Sequence, residues 1–126
     1  MHGLGNDFMI IDAREIELKL DQTFIKGLAN RNLGVGFDQL VLICEPISSK
    51  ADCFLKFWNY DGSRSSTCGN ASRCVASLIM SQKSVASAIL ETEVGLLMCE
   101  KNENSLISIN MGEPKLNWKD IPLAIK

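Results

Sequence analysis

An α+β domain built mainly on antiparallel strands is the fold class this sequence predicts, and three observations lead to it. At least six short runs of strand character accompany one short and one central helical stretch. The regular strand-helix-strand repeat of a doubly wound sheet is missing. A length of 126 residues, 46% of them hydrophobic and 22% charged, suits one globular core and not two.

The first element is Phe8 to Ile11, an apolar run that follows the flexible Gly3-Leu4-Gly5-Asn6 segment and ends at Asp12 and Ala13. A helix starts after Asp21 and carries Phe24, Ile25, Leu28 and Ala29 on one stripe before Asn32 to Gly34 stop it. Phe24 and Leu28 are therefore expected in the core. Strands follow over Gln39 to Cys44, closed by Pro46, and Cys53 to Asn59, closed by Asp61-Gly62. Alternation puts Cys53, Leu55, Phe57 and Asn59 on one face of the second strand and Phe54, Lys56 and Trp58 on the other. Asn59 thus extends an apolar row where the strand ends, either to cap the turn or to reach into a pocket.

Ala71 to about Gln82 is the strongest helix, with Cys74, Val75, Leu78 and Ile79 at core-facing spacing and Ala71 and Ala76 permitting close packing. A meander completes the domain. Ala88 to Glu93, a turn at Gly95, Leu96 to Glu100, a polar turn at Asn102-Glu103-Asn104, and Leu106 to Met111 lead to Gly112 and Pro114. Trp118, Ile121, Pro122 and Leu123 have no clear element. The expected organisation is a domain over residues 1–115 and the start of a linker over 116–126.

Thirteen Lys and Arg against fifteen Asp and Glu give a formal charge of −2, which offers no footprint for nucleic acid. Apolar runs such as Leu40 to Cys44 fall well short of the roughly 20 residues that span a bilayer, and no basic leader of secretory type opens the chain. The five cysteines at positions 44, 53, 68, 74 and 99 include no Cys-x-x-Cys pair and have only His2 for company. They read as free thiols in a reducing cytoplasm, not as a zinc site.

Cys68 carries the chemical reading. It stands directly before the central helix, where unpaired N–H groups and the positive helix end favour thiolate over thiol and can hold a substrate carboxylate. The bland alternative is a small buried hydrophobe. Asn6, Gln39, Asn59 and Asn70 suit a zwitterionic amino acid, because an amide accepts from an ammonium and donates to a carboxylate. Each could equally serve a turn or cap. His2 reads as an acid/base group or, more simply, a surface residue; Arg73 as a ligand contact or a structural charge. Asp61 reads as a turn former, and Cys74 and Cys99 as packing residues. Gly3-Leu4-Gly5 and Gly34-Val35-Gly36 lack the strand-to-helix context of a dinucleotide loop.

In its blocks His2-Gly3-Leu4-Gly5-Asn6-Asp7-Phe8, Leu28-Ala29-Asn30-Arg31, Gly36-Phe37-Asp38-Gln39-Leu40, Asn59-Tyr60-Asp61-Gly62-Ser63, Cys68-Gly69-Asn70, Arg73-Cys74 and Asn110-Met111-Gly112-Glu113-Pro114, the chain resembles the amino-terminal domain of the diaminopimelate epimerase family. The resemblance implies a sheet curled as a barrel around a central helix. It also implies bacterial, cytoplasmic, PLP-independent inversion of LL-2,6-diaminopimelate to the meso form by two cysteines, with no cofactor. Cys68 matches one of the two, and Asn6, Gln39, Asn59, Gly69 and Asn70 match substrate contacts. The partners implied are a small amino-acid substrate and a carboxy-terminal domain in cis bearing the second cysteine, and a homodimer is compatible with the pattern. A related amino-acid racemase or isomerase, or a structural or partner-binding domain with a degenerate site, are the alternatives. The chain departs from the family where Ala71-Ser72 replaces the Gly-Ala of many relatives, and in having about half the family's length.

Overall fold

A computed structural model describes residues 1–114 and Leu116. The elements run β1 (His2–Gly3), β2 (Asn6–Asp12), α1 (Gln22–Ala29), β3 (Gln39–Cys44), β4 (Cys53–Asn59), β5 (Arg64–Ser65), α2 (Gly69–Lys83), β6 (Ser87–Thr92), β7 (Gly95–Lys101) and β8 (Ile107–Asn110). They form one eight-stranded sheet in the order β1-β2-β3-β4-β6-β7-β8, with β5 paired to β4 off this path. Five of the pairings are antiparallel, so the sheet is mainly antiparallel as expected. The β2/β3 and β4/β6 pairings are parallel. Parallel neighbours require a crossover, and each helix supplies one: α1 between β2 and β3, α2 between β4 and β6.

The sheet curls around α2, which touches β1 and β2 at one end of the strand order and β7 and β8 at the other. This is the expected barrel in open form, since no pairing joins β8 to β1 among the described residues. Inside the curl, Phe8, Val41, Ile43, Cys53, Leu55, Phe57, Leu90, Leu97 and Cys99 pack on Ala71, Cys74, Val75, Ala76, Ile79 and Met80 of α2. On the outer face, Leu40, Leu42 and Trp58 meet Ile25 and Ala29 of α1 together with Ala13 and Phe37. β3 and β4 are thus buried on both faces, which is why their sequences are nearly continuous apolar runs.

One core expectation is corrected. Phe24 is 52% exposed, and α1 buries Ile25 and Ala29 instead, with Leu28 only partly covered. The sheet accepts one narrow line of this eight-residue helix, and Phe24 falls beside that line. Leu106, placed in the last strand by its apolar character, is likewise exposed and precedes β8. Trp118, Ile121, Pro122 and Leu123, and with them the expected linker apart from Leu116, lie outside the described residues. No helix among the described residues is long and apolar enough to cross a membrane.

Candidate active site

The alternation that builds the inner core also builds the site. Along β2, Asn6 shares a face with Phe8 and Ile10; along β3, Gln39 shares one with Val41 and Ile43; along β4, Asn59 shares one with Phe57 and Leu55. All three amides therefore extend the α2-facing apolar surface at one end of the sheet. The register confirms that they are neighbours. Gln39 lies opposite both Phe8 and Asn59, and Asn6 is two residues, about 7 Å, before Phe8.

Hydrogen bonds orient this row. Gln39 Nε2 donates to Asn59 Oδ1 (2.9 Å), Asn59 Nδ2 to Ser63 Oγ (3.0 Å), and Ser63 Oγ to Asp61 Oδ1 (2.6 Å). Asp61 is the turn former its Asp-Gly context suggested, and the Ser63 hydroxyl and N–H hold its carboxyl below the usual range. Gly62 completes the turn with φ +80°, and a Cβ there would collide with Gln22 at 2.5 Å, so α1 seats directly against the turn. Ser63, which orients Asn59, was not singled out from the sequence beyond its place in the Asn59-to-Ser63 block. Its chemical signal was a hydroxyl two positions after a turn aspartate.

α2 begins at the same end, because Asn70 Nδ2 donates to Asn6 Oδ1 (3.0 Å). Arg73, one turn further along, donates to Asn70 Oδ1 and so orients this second amide pair. Cys68 is the N-cap residue of α2, extended at φ −152°, ψ 108°, and its side chain makes no cap hydrogen bond. It is half-buried against the edge of the inner cluster, with its carbonyl accepting from Ser72 N (2.9 Å). Gly69 and Asn70 are the first two residues of the helix. N–H groups at such a start have no carbonyl partner within the helix, and with the helix dipole they favour an anion there.

The other four thiols are poorly suited to ionise. Burial pushes Cys53 up to about 12, pushes Cys99 up to about 11, and raises Cys44 and Cys74 as well. Cys74 and Cys99 pack in the inner core as expected. The Cys74 thiol donates to the His2 carbonyl, while the imidazole of His2 belongs to an exposed residue of β1. Cys68, Asn6, Gln39, Asn59, Gly69 and Asn70 are thus brought to one end of the domain, whereas His2 contributes its carbonyl to the core thiol of Cys74.

A family model described as diaminopimelate epimerase matches residues 1–117. The diaminopimelate epimerase of Rhodospirillum centenum is 45% identical over 98% of this chain and 43% of its own length. That of Gluconobacter oxydans is 43% identical over 98% of this chain and 46% of its own length. The chain therefore spans less than half the length of these curated relatives. Among solved structures, a phenazine biosynthesis protein of Bacillus anthracis superposes with TM-score 0.57 at 23% identity, over 86% of this chain and 35% of its own. A methylitaconate-delta-isomerase gives TM-score 0.57 at 19% identity, over 86% and 60%. These two likenesses show a shared fold.

Proposed function

This chain belongs to the diaminopimelate epimerase family, and from that membership we propose that it forms the amino-terminal half of a PLP-independent enzyme converting LL-2,6-diaminopimelate to the meso form. Residues 1–115 constitute this half, and a second domain in cis follows the linker. Cys68 is one of two acid/base thiols. The observation that carries the reading is the placement of Cys68 at the uncapped start of α2, whose Asn70 is tied to Asn6 at the sheet end that also holds Gln39 and Asn59.

The chemistry follows from these groups. An α-hydrogen beside a carboxylate is weakly acidic, so its removal needs an ionised thiol held against it and donors that stabilise the charge developing on the substrate. The first N–H groups of α2, at Gly69 and Asn70, serve the substrate carboxylate. The amide row serves the ammonium and carboxylate with neutral donors and acceptors, leaving the net charge of the pocket unchanged. In one direction Cys68 takes the proton as thiolate, and a thiol on the opposite face returns one to the carbanion. Cys74 is unsuited to that second role, since it lies buried in the same helix and bonded to His2. As the family pattern implies, the second thiol belongs to the other domain, where closure also excludes water. Family membership supports a bacterial, cytoplasmic setting and is compatible with a homodimer.

Incorporation of solvent deuterium at the α-carbon tests this. The two-domain enzyme is expected to exchange and invert LL- and meso-diaminopimelate, and Cys68→Ala to lose on the order of a thousandfold in rate. Residues 1–126 alone are expected to bind substrate weakly and invert none. Absence of exchange in the folded, reduced two-domain enzyme, or inversion by the isolated chain at a comparable rate, would contradict the proposal.

A further inference from the structure

The residues next in sequence to the three strand-borne amides are themselves bound into one cluster. Asp7 follows Asn6, Asp38 precedes Gln39, and Tyr60 follows Asn59. Asp38 Oδ2 accepts from Asp7 N (2.8 Å), Asp38 N donates to Asp7 O (3.0 Å), and Asp38 O accepts from Tyr60 N (3.0 Å). Arg31 closes the cluster, reaching Asp7 Oδ2 at 2.9 Å with one guanidinium nitrogen and Asp38 Oδ1 at 3.0 Å with the other.

Arg31 is itself held in place. It follows α1 in a turn where Asn30 Oδ1 accepts from Asn32 N and Leu33 N, and where Val35 N and Gly36 N both donate to Leu28 O. Gly36 has φ +78°, and a Cβ there would come within 3.1 Å of Arg31 Cα and Cγ. The arginine stem is thus backed by bare backbone. Its side chain is 55% exposed, and the carboxylate side chains it bridges are 51% and 37% exposed. Bridges so open to water contribute little to global stability, whereas the planar fork of an arginine fixes two carboxylates in a set geometry that a lysine cannot match.

We propose that Arg31 is a positioning residue that, by clamping Asp7 to Asp38, sets Asn6, Gln39 and Asn59 as one preformed row for the substrate. The inference rests on the functional reading above for what the row binds, and on the geometry alone for the clamp. The Asp38 carboxyl is held below its ordinary range, first by the Asp7 N–H and further by Arg31 and the Asn6 amide, as a persistently engaged anion should be.

The test is the side-chain amide NMR spectrum of this chain in Arg31→Gln, Arg31→Lys and a control, Arg14→Gln, which breaks the Arg14–Asp12 bridge at the far end of β2. Arg31→Gln is expected to shift and broaden the Asn6, Gln39 and Asn59 amide signals while leaving the methyl signals of Ile25 and Ile79 in place. Arg31→Lys is expected to give a smaller displacement of the same signals, and the control none. Unmoved amides in a folded Arg31→Gln protein, or equal movement in the control, would overturn the clamp. If Arg31→Gln does not fold, unmoved amides in Arg31→Lys would overturn it. The readout contains no substrate, so a chain that passes it but whose two-domain enzyme fails to exchange deuterium would refute the functional reading and leave the clamp standing.

Discussion

The two helices make the same kind of crossover and begin in opposite ways. α1 opens on Asp21, extended at φ −96°, ψ 163°, whose carboxylate accepts from Phe24 N at 2.8 Å. α2 opens on Cys68, also extended, with no side-chain cap bond. A helix of 15 residues packed inside the sheet tolerates an uncapped start because its burial holds it. A helix of eight residues on the outer face depends more on its cap. An open start at the better-buried helix leaves its first N–H groups without a side-chain cap beside a thiol.

The largest effect expected from this contrast is in burial. Ile79→Ala in α2 should destabilise the chain by about 2–5 kcal/mol, since Ile79 is fully buried, whereas Phe24→Ala in α1 should change stability by less than about 0.5 kcal/mol. Denaturant unfolding measures both. Similar losses at the two positions would mean that α1 is packed more deeply than described.

The caps should give the next effect. Asp21→Ala should cost about 1 kcal/mol, and Cys68→Ser should exceed Cys68→Ala in stability by about 0.5–2 kcal/mol, because serine supplies the cap hydrogen bond that cysteine omits. Equal melting of the two Cys68 variants would indicate that the start of α2 has no cap to gain. A more stable Cys68→Ser variant would show the helix gaining its cap as the thiol chemistry is removed.

A smaller effect concerns the far end of α2, where Asp52 accepts from Lys83 (2.5 Å) and from Ile89 N (2.7 Å). Partial burial works against ionisation of Asp52, but the Lys83 ammonium and the Ile89 N–H outweigh it and hold the carboxyl below its ordinary value of 3.8. A depressed carboxyl stabilises the fold above the unfolded value and loses that contribution as pH falls through the folded one. The wild-type chain should therefore lose more stability than Asp52→Asn on acidification from about pH 5 to about pH 3. Parallel acid profiles would remove Asp52 from the account.

Much of this architecture was legible in the residues. β3 and β4 match their expected bounds because apolar runs ended by Pro46 and by Asp61-Gly62 leave little choice of register. The start of α2 was legible to within a residue or two. The parallel pairings were not, because the order of strands is a long-range choice that local periodicity does not encode. β1 and β5, at two residues each, are too short to show any period. At the candidate site, residue type singled out Cys68 and the amides, while the bonds of Ser63 to Asn59, of Arg73 to Asn70, and of Arg31 to Asp7 and Asp38 join residues that only the fold brings together.

The central claim, that Cys68 is the acid/base thiol of this domain, is tested most directly by limited alkylation of the reduced chain followed by peptide mapping, with and without meso-diaminopimelate. Cys68 is expected to react first and to be protected by the ligand. Cys44 and Cys74 should lag, and Cys53 and Cys99 should react last, because a thiol pushed up by burial holds less thiolate at any given pH. Modification of Cys74 or Cys99 ahead of Cys68, or slow and equal modification of all five, would contradict the claim.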